Sequence, residues 1–181
     1  SGEGAGGVWI PGAKHLEPID WRVPWPQEVK DRLVTFDNPS GDITNSDLEM
    51  AADLLGFLVL EGVIGPGGLR WAHVGICSDN SATVAWQMRG ASKRSAVANR
   101  LLRVLAIRLR KNRASPLVTR HLAGDRNSLG DIPSRSFGYK DEWHFASDVD
   151  FLSFFNANFP LPEQNSWTGF RLRNDLCSKV M

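Results

Sequence analysis

Three carboxylates stand where the sequence predicts that distant side chains meet. Asp79 ends a short apolar run, 71–79, that is predicted to form a central strand, and open α/β sheets bind ligands beyond the carboxyl ends of their strands. Glu49 lies near the start of a predicted helix, whose N-terminal dipole modestly favours its charge. Asp131 follows the last predicted strand across a Gly-containing loop. We therefore expect Glu49, Asp79 and Asp131 to converge at one edge of the sheet.

Carboxylates that converge repel one another, so several of them stay ionised only where a cation offsets the repulsion. Cys77 and Cys177 lie far apart and have no metal-ligand spacing, which leaves oxygen donors that suit Mg²⁺ or Mn²⁺ rather than zinc. Two such ions about 3.5–4 Å apart can activate a water and stabilise both oxygens of a phosphodiester displacement. An Asp taken alone is more often a helix cap or a solvated charge, and that alternative stays open.

The elements that must position these residues alternate between strands and helices. Apolar or alternating runs predict strands, and stripes of apolar residues at helical spacing predict helices. The predicted strands cover 6–10, 19–25, 71–79 and 116–122. The predicted helices begin after the cap residues 44–46, cover 80–88 and run through 98–109, and residues 127–134 are either a closing helix or a loop. This order requires crossover connections, so we predict an α/β fold whose sheet is parallel in its second half.

Charge is unevenly distributed, although the net charge is only +1. Ten Lys and Arg residues and no Asp or Glu lie between Asn80 and Gly124. Part of this basic block falls on the polar face of the predicted helix at 98–109. The residues predicted to contact nucleic-acid phosphates are Lys93, Arg94, Arg100 and Arg103, with an ordinary solvated helix face as the alternative.

Composition excludes several classes of protein. The chain is 42% hydrophobic and 23% charged, as a globular domain is, and no apolar run approaches the roughly 20 residues of a membrane span. Its Gly-rich start lacks the basic and apolar regions of a secretory signal. We therefore expect an intracellular protein with reduced cysteines and one main domain.

Three stretches of the chain, in this order, resemble the ribonuclease H domains of reverse transcriptases. They are Thr44-Asn45-Ser46-Asp47-Leu48-Glu49-Met50-Ala51, Cys77-Ser78-Asp79-Asn80-Ser81 and His121-Leu122-Ala123-Gly124-Asp125-Arg126-Asn127-Ser128-Leu129-Gly130-Asp131. In that family a helix-borne Glu follows a Thr/Asn-rich cap, and a strand-terminal Asp sits in a Ser/Thr-Asp-Ser/Asn motif. A His-x-x-Gly-x-x-Asn-x-x-x-Asp motif closes the site.

The resemblance spans about residues 1–136 and implies a ribonuclease H-like fold, with a mixed five-stranded sheet flanked by helices. It implies that Glu49, Asp79 and Asp131 hold two Mg²⁺ ions, with Mn²⁺ as the alternative. His121 would lie on a mobile loop that assists proton transfer or product release, unless it is a capping or packing residue.

The asparagines of the same motifs resemble residues that contact nucleic acid. Asn45 and Asn80 match positions that touch the sugar-phosphate backbone or the 2′-hydroxyl of the RNA strand, and Asn127 belongs to the same predicted set. Asn45 and Asn80 have turn or cap roles as alternatives.

The implied activity is endonucleolytic hydrolysis of the RNA strand of RNA–DNA hybrids, in a polypeptide that also carries an upstream reverse transcriptase domain. The stretch Asp131-Ile132-Pro133-Ser134-Arg135 and the aromatic tail are most similar to tyrosine-recombinase (DIRS-like) and related retrotransposons. Residues 137–181 are predicted to be an appended segment, which either packs on the main domain or links it to another.

One member of the family's carboxylate set has no counterpart in the sequence. It is an Asp near the start of the first strand, in a D-x-S or D-G-S motif ahead of a Gly-rich turn. The residues Ser1-Gly2-Glu3-Gly4 resemble those that follow this Asp, so the motif looks cut off rather than mutated, and Glu3 is a less favoured substitute. The alternative function of a catalytically silent hybrid-binding scaffold therefore stays open. A second alternative, a transposase- or integrase-like relative, is disfavoured by the His-x5-Asn-x3-Asp ending.

Overall fold

The computed structural model describes residues 2–12, 16–137, 143–162, 165–172, 177 and 180–181; Ser1, part of the predicted Gly-rich turn, lies outside them. Strands and helices alternate along the chain, which confirms the predicted α/β class. The strands are β1 (Gly4–Trp9), β2 (Ile19–Pro24), β3 (Gly75–Ser78), β4 (Val118–His121) and β5 (Thr168–Arg171). The helices are α1 (Gln27–Lys30), α2 (Asn45–Ile64), α3 (Ser81–Arg89), α4 (Ala96–Asn112), α5 (Ser128–Arg135) and α6 (Asp148–Asn158).

These strands form two sheets rather than one. β2 lies between β1, which is antiparallel to it, and β5, which is parallel to it. β3 and β4 form a separate parallel pair, so the predicted parallel pairing in the second half is confirmed. The described residues therefore contain a mixed three-stranded sheet and a two-stranded sheet, with a groove between β1 and β3 where a single sheet would be continuous.

Glycines in β1 let helix α5 lie directly on the strand. A Cβ atom at Gly6 would stand 2.5 Å from the Cβ of Pro133, and one at Gly4 would stand 2.4 Å from the ring of Phe137. No side chain fits at such distances, so these two positions require glycine. This contact holds the first turn of α5, which carries Asp131, against the three-stranded sheet.

Helix α2 begins where its cap residues predict. The Thr44 side chain accepts from the backbone N–H of Asp47, and the Asp47 carboxylate accepts from the backbone N–H of Thr44. This reciprocal capping box stabilises the helix start by about 1 kcal/mol. The helix ends before Gly65, whose φ of 77° is a left-handed conformation that favours glycine. Although α2 is 20 residues long, no helix in the described ranges has both the length and the apolar character to cross a membrane.

Helix α4 packs against α2 through the apolar stripe that the sequence predicts. Leu101, Leu102 and Leu105 are buried in the main core, and the predicted basic positions Arg100 and Arg103 are exposed. Ser95 caps this helix by accepting from the backbone N–H of Ala98.

The central strand is shorter and less covered than the sequence predicts. The prediction of a strand over 71–79 buried on both faces is wrong, because β3 covers only Gly75–Ser78 and its residues Gly75 and Cys77 are exposed. The strand cannot begin at residue 71 because Trp71 has a φ of 61°, a left-handed conformation that an extended strand does not contain.

The C-terminal part of the chain contacts the main sheet. Helix α6 buries Phe151 and Phe155 with Trp167 and with Ile132 of α5, in a cluster separate from the main core. β5 then pairs with β2. For the described residues of the tail, 143–162 and 165–172, this is the packing alternative; the predicted domain boundary at residue 137 stays a prediction.

Candidate carboxylate site

The groove between β1 and β3 has a volume of about 400 Å³. Besides the two strands, it is lined by the first half of α2 and by the segment from Arg126 to Ser134. Glu49, Asp79 and Asp131 all line it, although they lie far apart in the sequence. The structure thus brings the three predicted carboxylates to one groove, while their role as metal ligands stays a prediction.

Each carboxylate reaches the groove from a different element. Glu49 lies on α2 one turn after the capping box. Asp79 directly follows the last residue of β3. Asp131 lies in the first turn of α5, where its Oδ2 is 3.2 Å from Nη2 of Arg135, one helical turn later. Three independently fixed backbones therefore hold the set.

A fourth carboxylate, which the sequence interpretation did not single out, lines the same groove. Asp53 lies one helical turn after Glu49 on α2. Its Oδ2 accepts from Nε2 of Gln87 at 2.5 Å, and Oε1 of Gln87 accepts from the hydroxyl of Thr119 at 2.8 Å. This chain of bonds ties α2 to α3 and β4. The spacing of Glu49 and Asp53, four residues apart on one helix face, was the signal that could have revealed it.

The carboxylates that line the groove interact electrostatically with one another. Burial raises the pKa of Asp53 well above its usual range, and the charges of Glu49 and Asp79 raise it further. Burial is also the largest cause that raises the pKa of Asp131; Arg135 opposes the rise and Asp79 adds to it. Placing several carboxylates at one groove therefore has an electrostatic cost that a bound cation would relieve.

His121 lies next to this site but does not line the groove. It ends β4 opposite Ser78 of β3. Its Nε2 is 3.0 Å from the backbone oxygen of Asp79, to which an Nε2–H would donate. The ring is exposed, so its position is compatible with the predicted role in proton transfer as well as with the capping alternative.

The three predicted asparagines occupy helix starts. Asn45 is the exposed first residue of α2. Asn80 caps α3 by accepting from the backbone N–H of Thr83 at 3.0 Å, and it donates to the hydroxyl of Ser46 at 3.2 Å. Asn127 precedes α5 and lines the groove. Asn80 thus has the cap role that was its alternative, and nucleic-acid contact stays a prediction for all three.

The predicted phosphate contacts lie on an exposed surface. Lys93 and Arg94 belong to the connection between α3 and α4, and Arg100 and Arg103 follow on α4; all four are exposed. Arg108 of the same helix differs, since its Nη1 is 3.3 Å from Oε1 of Glu61.

Glu3, the less favoured substitute for a further carboxylate, lies elsewhere. It is exposed and forms an ion pair with Lys30, and it is not among the residues that line the groove. Within the described ranges no three His, Cys, Asp or Glu side chains come close enough together to hold a metal ion by themselves. The donors in the groove fit Mg²⁺ in their chemistry, but not as a closed cage of protein ligands.

Comparisons with known proteins identify no relative. A scan against family models, a search of curated proteins and a search of solved structures all give no match. The resemblance to ribonuclease H domains therefore rests on the chain's own motifs and on where their residues lie.

Proposed function

We propose that this chain is a ribonuclease H-type nuclease domain that hydrolyses the RNA strand of RNA–DNA hybrids in an Mg²⁺-dependent reaction. One observation carries the proposal: Glu49, Asp79 and Asp131, each from a separate motif, line one groove. The proposal includes the finer fold assignment, in which the two sheets are parts of one ribonuclease H-like sheet. It also includes the setting, a retroelement polypeptide with an upstream reverse transcriptase domain.

Mg²⁺ fits a groove of this kind because it seldom needs a cage of protein ligands. It keeps several waters and is commonly held by one or two carboxylates together with substrate phosphates. One or two of Glu49, Asp79 and Asp131, together with waters and substrate phosphates, would hold such an ion, which when bound would activate water and neutralise developing charge on the phosphodiester. The mutual repulsion of Asp53, Glu49 and Asp79 supports the proposal, because the cation would offset it.

The exposed basic surface supplies the second part of a hybrid-binding site. Hybrid duplexes are held mainly through phosphates and minor-groove hydroxyls, with little dependence on sequence. Lys93 and Arg94 lie between α3, which begins two residues after Asp79, and α4, which carries Arg100 and Arg103.

The test is cleavage of a labelled RNA–DNA hybrid with Mg²⁺, by the chain itself and by a form extended upstream to include the residues encoded before Ser1. We expect the extended form to cleave the RNA strand and Asp79→Asn to lose the activity by at least about a hundredfold, the scale of losing a group that stabilises the transition state. Asp37→Asn, at an exposed loop position, is the matched control. No cleavage by the extended form, or equal cleavage by the Asp79 variant, would reject the proposal.

The second candidate function is a catalytically silent module that binds hybrids. It is favoured by the absence, among the described residues, of three acidic side chains close enough to hold an ion. In this case the extended form would bind the hybrid with salt-dependent affinity but would not cleave it, with or without Mg²⁺. Cleavage by the extended form would exclude this candidate.

A further inference from the structure

The loop between α2 and β3, residues 65–74, carries a large aromatic side chain on the surface. Trp71 is 69% exposed, although a ring of this size gains much free energy from burial. The loop is held in place by backbone hydrogen bonds, since the N–H of Trp71 donates to the oxygen of Arg113 at 3.0 Å and the N–H of Ser115 donates to the oxygen of Ala72 at 3.1 Å. A fixed backbone therefore presents the Trp71 ring to solvent.

The bond between Trp71 and Arg113 joins two residues with strained backbones. Trp71 has a φ of 61° and Arg113 a φ of 52°, and in the described ranges no other residue besides glycine has a positive φ. This left-handed conformation is unfavourable for bulky side chains, and such strain is concentrated at functional and ligand-binding sites. Helix α3 ends in the same conformation with Gly90, which adopts it freely, whereas α4 ends with the cation Arg113. Folding stability alone therefore does not explain these two side chains.

The charged side chains next to Trp71 are all cations. The guanidinium carbon of Arg70 lies 5.8 Å from the centroid of the Trp71 ring, which is a cation–π distance. Arg110 and Lys111 occupy the last turn of α4, just before Arg113, and all five residues are exposed. Neither the loop nor α4 contains an Asp or a Glu. We call these five residues the Trp71 surface.

Glu61 of α2 contacts α4, but other residues already meet its charge. Its Oε1 accepts from the side-chain amide of Asn112 at 2.9 Å and lies 3.3 Å from Nη1 of Arg108. The four cations of the Trp71 surface form no ion pair with any residue that the structure describes. Their positive charge is therefore free to attract an anionic ligand.

The Trp71 surface and the groove lie at opposite ends of the two-stranded sheet. β3 and β4 are parallel, and the Trp71 loop leads into the amino end of β3 while the chain after α4 leads into the amino end of β4. Asp79 and His121 lie at the carboxyl ends, about 10 Å of strand away. None of the five residues is among those that line the groove, so the Trp71 surface is separate from the carboxylate site.

We propose that the Trp71 surface binds single-stranded nucleic acid, with a base stacked on Trp71 and the adjacent phosphates held by its four cations. An open aromatic ring beside cations complements the alternating bases and phosphates of a single strand. A duplex, whose bases are already stacked on one another, complements the cations alone. An anionic membrane would also attract the cations, but insertion requires further apolar side chains, and the loop before Leu69 is Gly-Pro-Gly-Gly.

The first test measures binding of a labelled oligothymidylate of about 12 nucleotides by fluorescence anisotropy in EDTA. Trp71→Ala should raise the Kd at least about fivefold, the scale of one stacked base, and Trp71→Phe, which keeps a ring, should recover most of the loss. Phe36→Ala is the matched control, because Phe36 is 99% exposed but precedes an acid, Asp37. Equal Kd values for the parent and Trp71→Ala, or an equal loss in Phe36→Ala, would overturn the proposal.

The same assay with other ligands separates a single strand from the alternatives. Oligouridylate distinguishes RNA from DNA as the source of the strand, and a loss in Trp71→Ala with either supports the proposal. A DNA duplex of the same length should bind Trp71→Ala and the parent equally, so an equal loss for duplex and strand would contradict a stacked base. Binding that depends on Trp71 to vesicles of phosphatidylcholine and phosphatidylserine, with no binding to either strand, would identify a membrane instead.

Trp71→Gly distinguishes a ligand-binding role from a structural one. Glycine adopts a positive φ without strain, so this variant should have a higher Tm than the parent while it loses strand binding as Trp71→Ala does. A lower Tm would mean that the Trp71 ring supports the fold, and the proposal would then be wrong. Because all these measurements are made in EDTA and none uses a hybrid, a failed nuclease assay would not affect them.

Discussion

Two regions of this chain bring acidic side chains out of water, and they differ in how the charge is compensated. In the groove, Asp53 and Asp131 have raised pKa values to which neighbouring carboxylates contribute. Between β2 and α6, the buried guanidinium of Arg22 instead bonds to the carboxylate of Asp148 and to the hydroxyl of Ser136. The first region gathers like charges, and the second supplies a cation from the protein itself.

The difference separates a candidate functional site from a structural one. Arg22 also lies 4.0 Å from the ring centroid of Phe151, so its cluster ties the tail to the sheet. Even there compensation is incomplete, because Oδ1 of buried Asp20 has no hydrogen-bond partner among the described residues. In the groove, by contrast, the carboxylates repel one another, and a cation bound from solution would relieve this repulsion.

The largest expected effect would come from removing the internal cation. Arg22→Ala removes a buried guanidinium that donates to Ser136 and to the half-exposed Asp148 and whose charge lies near buried Asp20. It should lower the free energy of unfolding by about 3 kcal/mol, because each buried polar group left without a partner costs about 1–3 kcal/mol. Urea denaturation followed by tryptophan fluorescence measures this loss. Arg32→Ala is the control, since the Arg32–Asp42 pair is exposed and exposed pairs contribute little to stability. If Arg22→Ala and Arg32→Ala lowered the free energy of unfolding equally, Arg22 would not act as a special internal cation.

A pH dependence should follow from Asp20. Burial raises its pKa from 3.8 to about 6 against the opposing charge of Arg22, so the folded state holds this proton more tightly than the unfolded state does. The stability from the protonated carboxyl is fully present below about pH 4 and is lost as the pH rises through about 6. Asp20→Asn should therefore raise the free energy of unfolding at pH 8 by up to about 3 kcal/mol.

The control for this titration is Asp42→Asn. The hydrogen bond from Arg32 lowers the pKa of Asp42, so its substitution should destabilise rather than stabilise at pH 8. A gain from Asp20→Asn that is the same at pH 4 and pH 8 would show that the carboxyl does not titrate in this range.

Local chemistry made much of this structure predictable. The oxygens of Thr44–Ser46 and the apolar stripe after them predicted the start of α2, and the run ending at Asp79 contains β3, although the strand is shorter than the run. The position of Glu49 on a helix and of Asp79 at a strand end followed directly. These features depend on neighbours within a few residues, which the sequence displays.

The features that were missed depend on contacts distant in sequence. The open edge of β3 depends on which strands lie beside it, and nothing within 71–79 records that, among the described residues, only β4 pairs with it. The pairing of β5 with β2 joins residues more than a hundred positions apart. Asp53 belongs to none of the three motifs, so the sequence does not single it out. Its hydrogen-bond network through Gln87 and Thr119 forms only when α2, α3 and β4 pack together.

Metal addition should affect the groove and not the Arg22 cluster. Free Mg²⁺ at about ten times its Kd should stabilise the chain by about 1–1.5 kcal/mol, measured as a shift in Tm. Asp79→Asn should abolish this shift. Without Mg²⁺ the same variant should be slightly more stable than the parent, because one of the charges that repel Asp53 and Asp131 is gone. Asp37→Asn should keep the shift, and an equal shift in the Asp79 variant would place the ion elsewhere.

The smallest effect concerns the exposed basic surface, whose charges are already solvated. Arg100→Gln together with Arg103→Gln should leave the free energy of unfolding unchanged and weaken hybrid binding. Each lost phosphate contact should reduce the slope of log K against log salt by about 0.7–0.9, measured by fluorescence anisotropy from low to moderate salt. Arg108→Gln is the control, because Arg108 pairs with Glu61. If Arg108→Gln changed the slope of log K against log salt equally, hybrid binding would depend on the net charge of the chain rather than on this surface.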